Sequence, residues 1–389
     1  MMSRAKHTSC TPDNPRGTIA LYRTDKVGDN MSYEGIPDWK KKALNDERQS
    51  RETRRAEHKL HEFLYELTDA CNLECAHCGS SCEASGHYID ITEAKKVADD
   101  IAEHYGTDNV RLSFTGGEPL LHPGFFDLAA HIRALGFPVG MTTNATLITK
   151  DAARHMADLG IRYITVSLDG LEEHHDIFRG RTGSWKRAIE GMENLIEAGI
   201  LPSVTTVVNT LNIDELDDVK DLLAGMGVKL WRVMNVDPIG RAMEHPELLL
   251  DGAGFSKMIT YIEDRRINHA DELPETTYSC AHYLGPVHEG ETRNWIFSCR
   301  SGTTVASVTA KGEFLGCLDV ERTPELIMGH LGQDRFSDIW ENRYEPYRIS
   351  RAALCQMCME CEHRDFCDGD SQHTWDYARN APKLCIGAR

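Results

Sequence analysis

The alternation of short β-rich runs with amphipathic helical runs between residues 61 and 270 constrains this 389-residue chain more than any other feature. It places strands at Phe63–Leu67, Val110–Phe114, Val139–Thr143, Tyr163–Ser167, Ser203–Val208 and Leu230–Val236. Helices are predicted between them near 92–105, 125–135, 150–159, 185–198 and 213–226, with another at 254–266 after the last strand. Six strand–helix repeats imply an α/β fold, a parallel sheet with right-handed crossovers, open or partly closed like part of a (β/α) barrel. In such folds chemistry gathers at the C-terminal edge of the strands.

The distinctive residues of the chain fall on that edge. The first strand runs into Cys71, Cys75 and Cys78, spaced so that one tight loop aims three thiolates at three irons of a cubane and leaves the fourth open. Zinc sites usually close with four protein ligands and electron-transfer clusters with four cysteines, so a compact triad suggests a metal centre with a position kept for something else. Taken alone, the loop also fits a zinc knuckle or a structural cluster. Strand two ends in Thr115-Gly116-Gly117-Glu118-Pro119, where paired glycines allow close backbone approach to a ligand and a carboxylate accepts from an ammonium group. Strand three runs into Thr142-Thr143-Asn144-Ala145, and strand four into Ser167-Leu168-Asp169-Gly170, followed by His174, His175, Asp176 and Arg179. The fork of Arg179 suits a carboxylate, although a surface ion pair explains it nearly as well. The two histidines read equally as a helix cap and a solvated side chain. Strand five carries Thr205, Thr206 and Asn209, and strand six closes with Asp237-Pro238-Ile239-Gly240-Arg241-Ala242. Each of these also reads as a strand-terminal turn.

Jointly these motifs resemble the radical S-adenosylmethionine (SAM) enzymes: C-x-x-x-C-x-x-C after an apolar strand, G-G-E-P, T-N-G with Ala145 in the glycine's place, S-L-D-G, H-D-x-x-R-G and P-x-G-R-A. The resemblance implies a partial (β/α)6 TIM-like barrel in which Cys71, Cys75 and Cys78 hold a 4Fe-4S cluster. In that family the open iron chelates the amino and carboxylate groups of SAM, and an electron from the cluster cleaves the sulfonium to a 5'-deoxyadenosyl radical that abstracts hydrogen from substrate. It further implies cofactor contacts for His77, stacked on the adenine rather than ligating metal, for Gly116, Gly117 and Glu118 at the amino group, and for Asn144, Ser167, Asp169 and Arg179. Cys82 is expected to be a buried thiol outside the triad. An external electron donor such as flavodoxin or ferredoxin is implied as well.

After residue 270 the alternation is expected to stop, and cysteines return. Cys299 is followed by twelve residues, Gly312, four more and Cys317; Cys358 and Cys361 flank two residues, Cys367 follows after five, and Cys385 ends the set. This spacing resembles the SPASM extension of radical SAM enzymes, which holds two auxiliary iron–sulfur clusters. By that resemblance Cys358, Cys361, Cys367 and Cys385 ligate the second cluster. The first is left with Cys299, Cys317 and Cys280, and with Ser371, Cys355 or nothing as its fourth ligand, because Ser371 stands where the pattern has a cysteine. Such a first cluster either binds substrate directly or is a site the fold has partly abandoned.

Thirteen cysteines, most in two clumps, read as metal ligands in a reducing compartment rather than as a disulfide framework; Cys10 stands apart as an ordinary thiol. A net charge of −18 argues against nucleic acid or an anionic membrane as partner and would suit a basic peptide segment. No run reaches the roughly 18 apolar residues of a transmembrane helix and the N-terminus has no apolar signal core, so a cytoplasmic protein is expected. Residues 1–60 are too poor in large apolar side chains to form a core and are expected to be a charged extension, ending in a solvated helix, laid on a barrel domain of 61–270, with a SPASM domain at 271–389.

SPASM enzymes most often modify peptides, which by analogy makes a maturase of a ribosomally made peptide, forming a crosslink, an epimer or an oxidised residue, the expected function. Asp319, two residues beyond Cys317, is the candidate base or acid after hydrogen abstraction, or else a turn residue. Two other readings stand beside it: the same chemistry on a sugar, amino acid or tetrapyrrole precursor, and a multi-cluster electron carrier that does not cleave SAM. The carrier has no use for Gly116, Gly117, Glu118 and the Ser167-Leu168-Asp169 strand end.

Overall fold

In the computed structural model the described residues are 33, 35–80, 82–279 and 282–385; Cys10 and Cys280 lie outside them. A first helix, α1 (Asp38–Glu57), precedes the alternation. Then follow β1 (Glu62–Thr68), α2 (Ile91–Tyr105), β2 (Arg111–Gly116), α3 (Phe125–Leu135), β3 (Val139–Thr143), α4 (Lys150–Asp158) and β4 (Tyr163–Ser167). The second half has α5 (Glu172–Phe178), α6 (Ser184–Glu197), β5 (Ser203–Val208), α7 (Leu216–Gly225), β6 (Leu230–Asn235) and α8 (Gly252–Asn268). Strands β1 to β6 pair parallel in sequence order.

Alternation along each strand gives the sheet two different faces. On β5, Val204, Thr206 and Val208 are fully buried. Val204 and Val208 share one core with Leu128 and Ile132 of α3, Met192 and Leu195 of α6 and Leu223 of α7. The opposite face carries short polar side chains, among them Ser113, Thr142, Thr165 and Ser203, and encloses a cavity of about 500 Å³.

The alternation does not stop at residue 270. A seventh strand, β7 (Glu275–Tyr278), pairs parallel with β6. At the other edge β8 (Val305–Val308) pairs parallel with β1, β9 (Glu313–Leu315) pairs antiparallel with β8 and β10 (Gly329–His330) antiparallel with β9, giving a ten-stranded sheet in the order β10-β9-β8-β1-β2-β3-β4-β5-β6-β7. The C-terminal cysteine region thus grows directly out of the barrel sheet, and β9 delivers Cys317 and Asp319 to the cavity wall.

Helix α1 lies on the C-terminal region. Leu44 packs with Tyr283, Ile296, Phe297 and Phe366. Arg51 donates to the carbonyls of Phe366 at 2.8 Å and Asp365 at 2.7 Å, and Lys40 reaches Glu291 at 2.8 Å. Cationic side chains that look solvated in the sequence are therefore buried ties. No helix among the described residues is long and apolar enough to cross a membrane.

Candidate active site

The triad loop is built onto the end of β1 by backbone contacts that only glycine permits. Gly117 donates to Thr68 O at 2.7 Å and Glu118 to Ala70 O at 3.0 Å. A Cβ on Gly117 would stand 1.9 Å from Ala70 O, and Gly116, at φ +139°, would meet Thr68 O at 2.2 Å. The paired glycines thus serve close approach between the end of β2 and the start of the cysteine loop. Cys71, Cys75 and Cys82 are buried around Leu73, with Cys78 against them. Burial pushes the Cys71 thiol up to about 11 and raises Cys75, against the pull of Arg179. Cys78 is held down by a hydrogen bond from the Cys82 thiol. Cys82, expected as a spare thiol, therefore sits in contact with the triad.

Glu118 is fully buried. Thr143 Oγ1 donates to both its oxygens at 2.8 and 2.9 Å and Asn144 N to Oε2 at 2.9 Å, which ties the G-G-E-P turn to the end of β3. Burial, only partly offset by those hydrogen bonds, pushes its carboxyl up to about 7. Asn144 turns its amide toward Cys71 Sγ at 3.9 Å and donates to Asn72 Oδ1 at 2.9 Å. Ala145 keeps a left-handed φ of 61° although it lacks the glycine's freedom.

Asp169 follows β4 and is wholly enclosed. Val207 N donates to its Oδ1 at 2.8 Å, and Arg179 Nη2 stands 2.5 Å from Oδ2. Arg179 Nη1 also points at Cys75 Sγ, 3.7 Å away. The ion pair is therefore a buried one that joins the end of β4 to the cluster loop. Ser167 lies on the face of β4 that carries Thr165 into the cavity. His175 is buried and accepts from Asp169 N at 3.0 Å, with its basicity lowered to about 3 by burial; His174 pairs with Glu215 at 2.7 Å. His175 is thus neither a helix cap nor solvated, whereas the side chain of His174 keeps 34% of its surface exposed beside Glu215. Thr206 and Asn209 are structural, Thr206 bonding Leu168 O at 2.6 Å and Asn209 closing a turn onto Leu211 N at 2.8 Å.

His77 stacks on Phe178 with centroids 4.0 Å apart and planes 4° from parallel. Burial drives its basicity well below the ordinary range, so it is neutral. Phe178, which covers one ring face, carried no sequence signal beyond its place in the H-D-x-x-R-G segment. Arg241 is the other residue whose part the sequence did not disclose. It donates to Cys75 O from Nε at 2.9 Å and to Cys82 O from Nη1 at 2.5 Å.

In the C-terminal region, Cys358 has its thiol pushed up by burial and by Cys355, Cys385 and Cys361, and Cys367 by burial, Asp370, Cys385 and Cys358. Five sulfurs thus share one neighbourhood, and Cys355, hydrogen-bonded to Cys358, belongs with the second set rather than the first. Cys299 and Cys317 both act on the hydroxyl of Tyr377, which places them around one residue. Ser371 is buried, its carbonyl accepting from Thr374 Oγ1 at 3.4 Å. Asp319 faces the cavity, its Oδ1 3.8 Å from where a Cβ on Gly79 of the cysteine loop would stand.

These residues fit a cluster with a bound SAM. Three thiols converge in a loop, a buried acid flanks it, and His77 Nδ1 and Arg179 Nε are buried with no hydrogen-bond partner within the protein. At the mouth of the cysteine loop such atoms suit the polar groups of a bound ligand.

Comparison with known proteins agrees. The Radical SAM superfamily model matches residues 65–223, and the SPASM model, an iron–sulfur cluster-binding domain, matches 299–362. An AdoMet-dependent heme synthase of Methanosarcina barkeri is 28% identical over 347 residues, 83% of this chain and 95% of that protein. The mycofactocin maturase MftC of Mycobacterium tuberculosis is 26% identical over 310 residues, 79% and 77% of the two chains. In fold, Streptococcus suis SuiB bound to its precursor peptide SuiA superposes with a TM-score of 0.66 at 17% identity, over 87% of this chain and 79% of that one. The domains imply a 4Fe-4S cluster with SAM at the first site and auxiliary iron–sulfur clusters at the second. The chain belongs to the radical SAM superfamily and is a radical SAM enzyme with a C-terminal SPASM domain.

Proposed function

We propose that this enzyme is a peptide maturase. The cavity inside the sheet carries the reading. It holds about 500 Å³, runs from Glu62, Arg111 and Tyr163 at the N-terminal ends of the strands to Ser80, Gly116 and Asp319 at their C-terminal ends, and is lined between by the hydroxyls of Ser113, Thr142, Thr165 and Ser203. A channel of that size and polarity suits one residue of a peptide and the backbone around it, whereas a planar macrocycle asks for broad apolar walls. MftC and the peptide-bound SuiB support the same reading.

When bound, the cluster and SAM supply a one-electron reductive cleavage that ends in hydrogen-atom abstraction from substrate. The rest falls to the chain. Glu118 accepts from the amino group of SAM, Arg179 faces its carboxylate, and His77, backed by Phe178, stacks on the adenine. Cys71, Cys75 and Cys78 ligate the cluster, and Cys358, Cys361, Cys367 and Cys385 an auxiliary one. Cys299 and Cys317 serve the other auxiliary site. Asp319 takes or gives the proton that follows abstraction, and the lumen walls exclude water. An external one-electron carrier of the flavodoxin or ferredoxin type delivers the electron.

The identity and coverage of the M. barkeri heme synthase favour a second reading, a tetrapyrrole precursor as substrate, with Arg111, Arg162 and Arg232 on the lumen wall as partners for its carboxylates. One experiment separates the two. The reconstituted enzyme is incubated with SAM and dithionite and either the peptide encoded by a short reading frame beside its gene or Fe-coproporphyrin III. Modification of the peptide by loss of two hydrogens or by epimerisation supports the maturase, and conversion of the porphyrin with an untouched peptide overturns it.

A further inference from the structure

The segment after β6, Asp237 to Ala242, is fastened to the cysteine loop at more points than a strand-terminal turn requires. Arg241 meets three carbonyls of that loop: its backbone N–H donates to Cys78 O at 3.0 Å, Nε to Cys75 O at 2.9 Å and Nη1 to Cys82 O at 2.5 Å. Gly240, at φ +53°, permits the approach, since a Cβ there would lie 2.2 Å from Cys78 O and 2.4 Å from Gly79 O. Ile239 packs on Gly79 from the same segment. The remaining nitrogen, Arg241 Nη2, is buried without a partner.

The other end of the segment is anchored as firmly. Asp237 Oδ1 receives His282 Nε2 at 2.8 Å and Oδ2 receives His373 Nε2 at 2.9 Å, both from the C-terminal half of the chain. His282 is held in turn by Asp370 at 2.7 Å. The cysteine loop is thus gripped by a segment whose far end is fixed in the C-terminal region.

We propose that Arg241 is a positioning residue of the triad cluster. It locks the loop carbonyls at Cys75, Cys78 and Cys82 so that the thiolates stay aimed, and its guanidinium, half-buried with Nη2 enclosed, favours the cluster state that carries the extra electron. The role does not depend on the substrate. Lysine keeps the charge but cannot span two carbonyls as the planar fork does; glutamine loses both.

The test uses the full chain with reconstituted clusters, as wild type, Arg241→Lys and Arg241→Gln. The triad cluster is followed by the EPR signal that changes when SAM is added, in a potentiometric titration, and iron loss is followed with a ferrous chelator. Arg241→Gln is expected to shift the midpoint to more negative potential and to release iron several-fold faster. Arg241→Lys is expected to keep a midpoint near wild type while still losing iron faster. Faster iron loss in both variants with no change of potential in Arg241→Gln would overturn the electrostatic role. Wild-type iron loss in both would overturn the clamp. If Arg241→Gln loads no iron, Arg241→Lys decides: wild-type iron retention contradicts the proposal, and faster loss at a wild-type midpoint supports it.

Discussion

Arg179 stands 2.5 Å from Asp169 and 3.7 Å from the sulfur of Cys75, so one guanidinium ties the end of β4 to the cluster loop from a fully buried position. Removing one member of such a pair leaves the other charge unpaired in a low dielectric. Arg179→Met is expected to destabilise the protein by about 3 kcal/mol and to raise the Asp169 carboxyl further, beyond the rise that burial already causes. Denaturant unfolding of the iron-loaded variant measures the first effect. Unfolding within about 0.5 kcal/mol of wild type would show the pair to be replaceable.

The proposed role of Glu118 at the amino group of SAM predicts that binding depends on pH. Its carboxyl, pushed up to about 7 by burial, is protonated below that value and cannot then serve as the anion for the amino group of SAM. Affinity is therefore expected to rise as pH rises from 6 to 8, by at most about tenfold per unit below the pKa. The same shift works in the opposite sense on the ligand-free fold: the native state binds the extra proton between the ordinary carboxyl range and 7, so stability falls as pH climbs through that window. Equilibrium dialysis at pH 6 and pH 8 reads the binding effect, and Glu118→Gln should abolish its slope.

Gly117→Ala should be far costlier than Gly199→Ala. The first puts a methyl 1.9 Å from Ala70 O, where only backbone movement relieves it, and is expected to cost at least about 2 kcal/mol together with loss of the triad iron. The second meets nothing within 4 Å and bears only the strain of φ +79°, about 1 kcal/mol. Thermal unfolding and iron content of the two variants, compared side by side, test the difference.

Cys355 is beside Cys358, a set that already has four cysteines, so Cys355→Ser is expected to leave iron per chain unchanged. Cys317→Ser should lower it by about four, one cubane. A loss of iron in Cys355→Ser would make Cys355 a ligand after all.

The strand and helix periods of residues 61–270 were legible because each strand has one apolar face and each helix one apolar stripe; β3, β4 and β5 fall where the alternation puts them. Helix α5 was not read, since Glu172 to Asp176 are polar and its seven residues span only two turns. Strand β7 was hidden by its four residues and the proline before it. The site was legible as motifs but not as contacts. Glycines 116 and 117 suggest a ligand, yet what they approach is the backbone of Thr68 and Ala70, and that depends on how β1 and β2 pair. Arg241 and Phe178 come to the cysteine loop from 163 and 100 residues beyond Cys78, a distance in sequence that no local pattern bridges.

The most direct test of the catalytic reading is 5'-deoxyadenosine formation by the anaerobically reconstituted protein with SAM and dithionite, measured with iron per chain, beside the variant Cys71→Ala, Cys75→Ala, Cys78→Ala. Deoxyadenosine from the wild type, none from the variant, and iron lower by about four in the variant is the expected result. Equal deoxyadenosine from both, or none from an iron-loaded wild type, would contradict it.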